Sequence, residues 1–382
     1  MTKKLLIIVI ILLIVYIVIP REKNIRTKTN KEDNEIRGVF ISYLELNHYI
    51  KDKDITTSKE HINKMIDNIK KNNFNTIYLQ VRSYMDTIYQ SSLFPTSKSI
   101  ILKDGSSYDV LDYFIKKATK KHINIYAWIN PYRIGSSFDR NSAYYNEVKN
   151  DIKIVNNMYY LNPSSDNTTK LIIKGVEEVI QNYKVKGILF DDYFYPSDDI
   201  DIEEYNTINQ DISIQQYHLN NINKMIFSVN KRIKQINKNI LFGISPEGNI
   251  ENNYNHNFAD VKKWGSEEGY VDFLIPQIYY GFKNSAKPFE QVINEWENLM
   301  VNKNIELYAA LAFYKTGTVD KFAKEGQNEW IENNDIIKRQ VLSLRNHNRY
   351  HGFIVFRYDN LFNEDGIEEV SMIELENLKN IM

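Results

Sequence analysis

The sequence contains no cysteine among its 382 residues. Disulfides, thiolate metal sites and cysteine nucleophiles are therefore excluded. An excess of charge of either sign is also absent, because 48 Lys and Arg residues stand against 49 Asp and Glu residues. Nucleic-acid-binding proteins normally carry a basic excess, so we predict no nucleic-acid partner. The seven histidines show no spacing typical of metal ligands, and we expect neither a metal nor another cofactor.

The only long apolar run lies at the N-terminus, where Lys3 and Lys4 precede LLIIVIILLIVYIVIP at 5–20. Such a run is typical of an export or insertion signal, and it ends without the small residues of a cleavage site. We expect an uncleaved signal-anchor, with the rest of the chain outside the cell. A secreted protein with a cleaved signal is the alternative. The predicted organisation is a transmembrane segment at 1–20, a juxtamembrane linker at 21–35 and one domain at 36–382.

From Arg37 onward, short apolar runs alternate with longer segments of helical periodicity. The predicted strands are 38–44, 76–82, 124–130, 187–193, 240–246, 271–280, 307–314 and 352–358. The predicted helices are 58–72, 107–121, 168–183, 209–238, 288–301, 334–346 and 367–381, with a weaker one at 258–264. This alternation predicts an α/β fold, a single (β/α)8 TIM barrel. A doubly wound open sheet is the alternative, but GVFISYLELNHYI lacks the glycine-rich phosphate turn expected after its first strand.

Active sites of such barrels lie at the carboxyl ends of the strands. In this sequence those ends are rich in acids, aromatics and amides, which are the residue types of a sugar-binding site. Glycoside hydrolysis needs one protonated acid and one ionised carboxylate. The candidates for this pair are Asp191, Asp192 and Glu247. The candidates for substrate binding are Gln80, Arg82, Trp128, Asn130, Tyr132, Arg133, Tyr193, Gln277, Tyr279 and Asp359.

Asp191 and Asp192 are adjacent in GILFDDYFYP at 187–196. Neighbouring side chains on a regular strand point to opposite faces. We therefore expect one aspartate to face the cleft, while the other caps a helix or orients an arginine. Glu247, which follows the next strand, is then the predicted partner of the inward aspartate. Its alternative interpretation is an exposed loop glutamate.

Six segments taken together resemble the glycosyl hydrolase-like 10 family of bacterial barrels. They are RGVFISYLEL, NTIYLQVRSYMD, IYAWINPYRI, KGILFDDYFYP, FGISPEGN and VDFLIPQIYYG, and the similarity spans roughly residues 36–360. The paired aspartates before Tyr-Phe-Tyr-Pro and the Pro-Gln-Ile-Tyr of strand six are its most specific motifs. The resemblance implies an extracytoplasmic protein that acts on bacterial cell-wall glycan.

The resemblance also implies which residues form the site. The family's acids on strand four correspond to Asp191 and Asp192, and its other polar positions correspond to Arg82, Asn130, Arg133, Gln277 and Tyr279. The sequence departs from many family members at Glu247, where they have an apolar residue after Ser-Pro. We therefore predict a membrane-anchored glycoside hydrolase whose partner is a carbohydrate polymer. A non-catalytic glycan-binding barrel that serves as an envelope or spore-assembly scaffold is the alternative.

Overall fold

The computed structural model describes residues 34–208, 211–363, 366 and 368–382. The predicted anchor at 1–20 and residues 21–33 of the predicted linker lie outside these ranges. Within them, no helix combines the length and apolar character needed to cross a membrane.

Eight parallel strands close into a barrel, which confirms the predicted barrel. They are β1 (Ile36–Ile41), β2 (Thr76–Arg82), β3 (Asn124–Ile129), β7 (Gly187–Phe190), β8 (Leu241–Ile244), β9 (Phe273–Leu274), β10 (Glu306–Ala312) and β11 (Tyr350–Phe356). Neighbours around the barrel follow chain order, and β11 pairs with β1 to complete it. The numbers β4 to β6 belong to strands of a separate small sheet. Strands buried on both faces are near-continuous apolar runs, which is why all eight were visible in the sequence.

Each of the eight predicted helices has a counterpart, and six further short helices among the described residues were not predicted. Up to the seventh, the helices are α1 (Tyr43–Tyr49), α2 (Ile55–Lys71), α3 (Val110–Thr119), α4 (Ala143–Val148), α5 (Asp166–Asn182), α6 (Ile202–Thr207) and α7 (Ile214–Ile236). The others are α8 (Ile250–Asn255), α9 (Val261–Ser266), α10 (Phe289–Leu299), α11 (Glu329–Glu332), α12 (Ile336–Asn346), α13 (Tyr358–Phe362) and α14 (Glu369–Lys379). Helix α2 begins earlier than predicted, because Asp54 accepts from the backbone N–H groups of Thr56 and Thr57.

Two apolar layers hold the barrel together. Side chains that alternate along the strands fill the barrel interior, and most of them are large and aromatic: Phe40, Tyr78, Tyr126, Trp128, Leu189, Phe273, Tyr308 and Ile354. Tyr78 stacks on Tyr126 with ring centroids 4.7 Å apart. The second layer lies between the strands and the surrounding helices. Because the interior is filled, ligands can enter only at the ends of the strands.

Seven of the eight barrel strands end earlier than predicted, and three of these early ends shape the site. Strand β1 stops at Ile41 because Ser42 and Glu45 form a capping box that begins helix α1. Strand β7 stops at Phe190, before the two aspartates. Strand β9 has two residues, because Pro276 has no N–H to donate to the ladder. Beyond it, single hydrogen bonds such as Gln277 N to Pro246 O (2.9 Å) continue the pairing.

The long insertion after β3 folds as a small layer of its own. It contains three short antiparallel strands in the order β4-β6-β5, with bounds Arg133–Gly135 (β4), Ile152–Val155 (β5) and Met158–Leu161 (β6). Helix α4 lies between β4 and β5. Long insertions in compact domains often form walls of binding sites, and this one brings Arg133 to the carboxyl ends of the barrel strands.

Candidate active site

A cavity of about 320 Å³ opens at the carboxyl ends of the barrel strands. Its floor is formed by the aromatic barrel interior. There the ring of Phe40 contacts the rings of both Trp128 and Phe356. Its lining is Phe40, Ser42, Tyr43, Leu44, Gln80, Trp128, Arg133, Asp191, Asp192, Tyr193, Ser245, Gln277, Tyr279, Tyr314 and Phe356. Eight of the predicted site residues line this cavity: Gln80, Trp128, Arg133, Asp191, Asp192, Tyr193, Gln277 and Tyr279.

Asp191 is the buried acid of this cavity. Its carboxylate accepts from Trp128 Nε1 at 3.0 Å and from Asn130 Nδ2 at 3.1 Å. Burial raises the pKa of Asp191 to about 6, and the two donors and the nearby charge of Arg133 limit that rise. Hydrogen bonds to both oxygens hold the carboxylate in one orientation. Asp191 is therefore a fixed group that is mostly ionised at neutral pH.

Asp192 lies beside it and is partly open to the cavity. Burial raises the pKa of Asp192 to about 7, and the negative charges of Asp191 and Glu247 raise it further. The amide of Gln277 acts in the opposite direction. Near neutral pH, Asp192 therefore carries its proton in a substantial fraction of molecules. An acid of this kind can protonate a leaving oxygen.

The expectation that only one of the two aspartates faces the cleft was wrong, because both line it. Alternation of side chains applies only while a strand remains regular. Strand β7 ends at Phe190, and the backbone leaves the strand before Asp192. Asp191 keeps the inward direction of Leu189, two residues earlier, and the turn brings Asp192 to the same cavity.

The walls beside the acids carry a cation, amides and aromatic rings. The guanidinium of Arg133 lies 4.4 Å from the centre of the Tyr193 ring, and that ring is 58% exposed. Gln80 Oε1 accepts from the backbone N–H of Tyr43 at 3.1 Å, while Gln277 Nε2 donates to the carbonyl of Ser245 at 3.1 Å. Exposed aromatic faces next to fixed amides are suited to the apolar faces and hydroxyl groups of a sugar.

Glu247 does not line this cavity. Its carboxylate accepts from Asn252 Nδ2 at 2.8 Å and from Asn257 Nδ2 at 3.2 Å. Its backbone N–H donates to Asn253 Oδ1 at 3.1 Å. These amides lie on helix α8 or just after it, and they turn the carboxylate toward that helix. Glu247 affects the cavity through its negative charge, which helps to raise the pKa of Asp192.

Four other predicted binding residues lie behind or beside the cavity lining. Asn130 holds Asp191 from behind, and Tyr132 is fully buried against Phe194. Arg82 is 1% exposed and lies over the ring of Phe94. Asp359 pairs with Arg357 and borders a neighbouring cavity of about 280 Å³ that shares Tyr314 with the first.

The outward direction of Arg82 has a local cause. The pairing of β2 with β3 shifts register between Gln80 and Arg82, so that Gln80 pairs with Trp128 and Arg82 with Ile129. The extra residue of such a β-bulge interrupts the alternation, so a side chain two positions after an inward one no longer points inward. Arg82 therefore points to the helix layer, where a Cβ on Gly175 of α5 would lie 2.5 Å from its guanidinium.

Seven cavity residues were not among the predicted site residues: Phe40, Ser42, Tyr43, Leu44, Ser245, Tyr314 and Phe356. Ser42, Tyr43 and Leu44 reach the cavity because β1 ends early. Ser-Tyr-Leu-Glu at 42–45 has the pattern of a capping box, and this signal could have located that end. Phe356 lies two residues after the interior residue Ile354, so strand alternation could have placed it.

A metal centre has no candidate in the part of the chain that the structure describes. No group of three or more histidine or acidic side chains there is arranged to hold an ion.

Comparisons with known proteins agree with the fold. The chain is 27% identical to glycosyl hydrolase YngK of Bacillus subtilis (strain 168) in an alignment of 320 residues that covers 75% of this chain and 62% of YngK. It is also 27% identical to glycosyl hydrolase DigH of Escherichia coli (strain K12) in an alignment of 345 residues that covers 81% of this chain and 77% of DigH. The chain thus spans less than two thirds of the length of YngK.

Solved structures share the fold at low sequence identity. The PgaB (BpsB) glycoside hydrolase domain from Bordetella bronchiseptica superimposes with a TM-score of 0.58 and 12% identity, covering 91% of this chain and 99% of that one. An α-amylase from Geobacillus thermoleovorans gives a TM-score of 0.53 and 12% identity, covering 91% and 77%. Both likenesses concern the barrel alone.

The family model of glycosyl hydrolase-like 10 proteins matches residues 35–331, which is most of the chain. This range contains strands β1 to β10 and both aspartates, while β11 lies beyond it. The match confirms the resemblance seen in the sequence, and the chain belongs to the glycosyl hydrolase-like 10 family.

Proposed function

We propose that this protein is a membrane-anchored glycoside hydrolase that acts outside the cell on peptidoglycan-type glycan. One observation carries the proposal. Two aspartates with raised pKa values, Asp191 and Asp192, line one aromatic cavity at the carboxyl ends of the barrel strands. Carboxyl groups whose environments separate their pKa values are typical of acid and base pairs in hydrolases.

Asp192 is the proposed general acid. It donates its proton to the glycosidic oxygen as the bond to the anomeric carbon breaks. Asp191, held ionised by Trp128 and Asn130, stabilises the positive charge that develops on the sugar. Glu247 is proposed to assist by keeping the proton on Asp192 through its negative charge.

The remaining side chains of the cavity are proposed to bind the sugar. Tyr193 and Tyr279 offer ring faces, while Gln80, Gln277 and Arg133 offer groups that can hydrogen-bond to hydroxyls. Arg82, Tyr132 and Asp359 lie outside the lining and are proposed to support the residues that contact substrate. The neighbouring cavity that shares Tyr314 can take the next sugar of a polymer.

The proposal is tested by incubating the purified full-length chain with peptidoglycan glycan strands from which the peptides have been removed. We expect new reducing ends and shorter strands, measured by a reducing-sugar assay and by chromatography. Binding of strands without any product would instead favour the alternative of a glycan-binding scaffold. A heat-unfolded sample of the same chain is the control for background cleavage.

The location of the enzyme is proposed from its N-terminus. The lysine-flanked apolar run at 5–20 favours a signal-anchor that leaves the barrel on the side of the membrane where cell-wall glycan lies. We expect the protein in isolated membranes to keep its N-terminal residues, as determined by mass spectrometry of its N-terminal peptide. A mature protein that starts beyond Arg21 would show that the signal is cleaved.

A further inference from the structure

The acids of the cavity occupy one wall. Among the described residues that line it, the acidic side chains are Asp191 and Asp192, which are neighbours in the chain. Hydrolysis by two protein carboxylates needs them on opposite sides of the bond, about 5–5.5 Å apart for a nucleophile or about 6.5–9.5 Å apart for an activated water. Other walls are formed by β1, which contributes Phe40, by the turn after β10, which contributes Tyr314, and by β11, which contributes Phe356. The cavity therefore presents an acid and an aromatic surface rather than two facing acids.

Other acids near these strand ends make contacts away from the cavity. Glu247 is held by Asn252 and Asn257. Glu45 is fully buried, bonds with Ser42 in its capping box and forms an ion pair with Arg357. Asp359 also pairs with Arg357 and borders the neighbouring cavity. None of these three side chains lines the first cavity. A nucleophile for the anomeric carbon must come from another source.

We propose that the substrate supplies this nucleophile, as the carbonyl oxygen of a 2-acetamido group on the sugar whose bond is cleaved. This inference rests on the proposed function and narrows it to glycosides of N-acetylated amino sugars. Asp191 accepts a hydrogen bond from the acetamido N–H and thereby turns the carbonyl oxygen toward the anomeric carbon. Neighbouring groups that are held in this way react with high effective concentration.

Each atom of the reaction has a place. The carbonyl oxygen forms a bond to the anomeric carbon as the bond to the leaving oxygen breaks, and Asp192 gives its proton to that oxygen. The product is a cyclic oxazolinium ion whose charge lies next to ionised Asp191. Water then attacks the anomeric carbon and gives a proton to Asp192, and the acetamido group is restored. Two displacements at one carbon leave its configuration unchanged.

The cavity floor is suited to the methyl end of such a group. The ring of Trp128, whose Nε1 donates to Asp191, lies next to the carboxylate that would hold the N–H. The Trp128 and Phe40 ring centroids are 5.4 Å apart, and those of Phe40 and Phe356 are 5.7 Å apart. An amide N–H at Asp191 would thus direct the acetyl group along an apolar aromatic surface, which favours a methyl group over a charged ammonium.

The test varies the substrate while the full-length protein stays the same. Peptide-free glycan strands are N-deacetylated, and samples are then reacylated with either acetyl or trifluoroacetyl groups. We expect the deacetylated strands to react at least about 10³-fold more slowly and the reacetylated strands to recover the original rate. Trifluoroacetyl strands keep the shape of the group but weaken its oxygen as a nucleophile, so they should react about 10-fold or more slowly.

Two further measurements complete the test. Proton NMR of the first product should show retained anomeric configuration, and the thiazoline analogue of N-acetylglucosamine, which resembles the cyclic intermediate, should inhibit competitively. Equal rates on acetyl and trifluoroacetyl strands, or an inverted product, would overturn the proposed nucleophile while leaving the hydrolase assignment intact. Failure to cleave even untreated strands would instead refute the proposed function.

Discussion

Replacing Asp192 by asparagine (Asp192→Asn) should lower the rate of glycan hydrolysis by about 10²–10⁴-fold, because an amide cannot donate the proton that the leaving oxygen needs. The substitution keeps the size of the side chain, so the cavity and the neighbouring Gln277 stay in place. The variant should lose much less activity on an aryl glycoside whose leaving group departs without protonation. Rates on both substrates, measured with the purified variant, separate the loss of an acid from a loss of fold.

The matched control for this variant is Asp198→Asn, which makes the same chemical change on an exposed residue of the following loop. We expect it to keep the parent rate on both substrates. If Asp192→Asn cleaved glycan strands as fast as this control, Asp192 would not be the acid. Equal losses on the strands and on the activated aryl glycoside would likewise contradict that role.

The stability of Asp192→Asn should change in the opposite direction to its activity. The pKa of Asp192 is raised to about 7 in the folded protein, above the value of about 3.9 for an unfolded aspartate. The folded state therefore binds the proton more tightly, and stability is lost as pH rises between these two values. Asparagine does not ionise, so the variant should gain stability relative to the parent from pH 5 to pH 8. Urea unfolding at both pH values measures this difference.

The barrel could be predicted from sequence because its strands are buried on both faces and appear as continuous apolar runs. The ends of those strands were harder to locate, and most of the differences at the site arise there. An apolar run does not show that β7 stops at Phe190, so the alternation rule was extended to Asp192 where it no longer holds. Strand β1 likewise ends before its apolar run does, although the sequence shows the capping-box pattern of Ser42 and Glu45.

Side-chain direction at the rim depends on contacts that one strand does not encode. Arg82 leaves the cavity because of a register shift against β3, which involves a residue more than forty positions away. Glu247 is turned aside by asparagines on the helix that follows it. By contrast, Trp128 and Gln80 were placed correctly, since their strands stay regular up to those positions. The residue types at the carboxyl ends of the strands could thus be predicted, whereas the directions of their side chains depend on how the strands pair.

Asp191→Asn should lower hydrolysis by about 10²–10⁴-fold and should also change its pH dependence. The proposed reaction needs Asp191 ionised and Asp192 protonated. Because their pKa values are raised to about 6 and about 7, kcat/KM of the parent should rise as pH increases through about 6 and fall as it increases through about 7. Removing the ionisable group at 191 should abolish the rise on the acidic side. It should also move the fall on the alkaline side to lower pH, because the charge of Asp191 helps to raise the pKa of Asp192.

The same substitution should stabilise the protein less than Asp192→Asn does. Trp128 Nε1 and Asn130 Nδ2 both donate to the carboxylate of Asp191, at 3.0 and 3.1 Å. An asparagine offers one acceptor oxygen, so one of these buried donors loses its partner at a cost of about 1–3 kcal/mol. This cost offsets the stability gained by removing an ionisable group whose pKa is raised to about 6 by burial. Urea unfolding of both variants at pH 7 measures the difference, and pH profiles from pH 4.5 to pH 8.5 measure the change in activity. An acidic limb near pH 6 that survives in Asp191→Asn would assign that ionisation to another group and remove Asp191 from the mechanism.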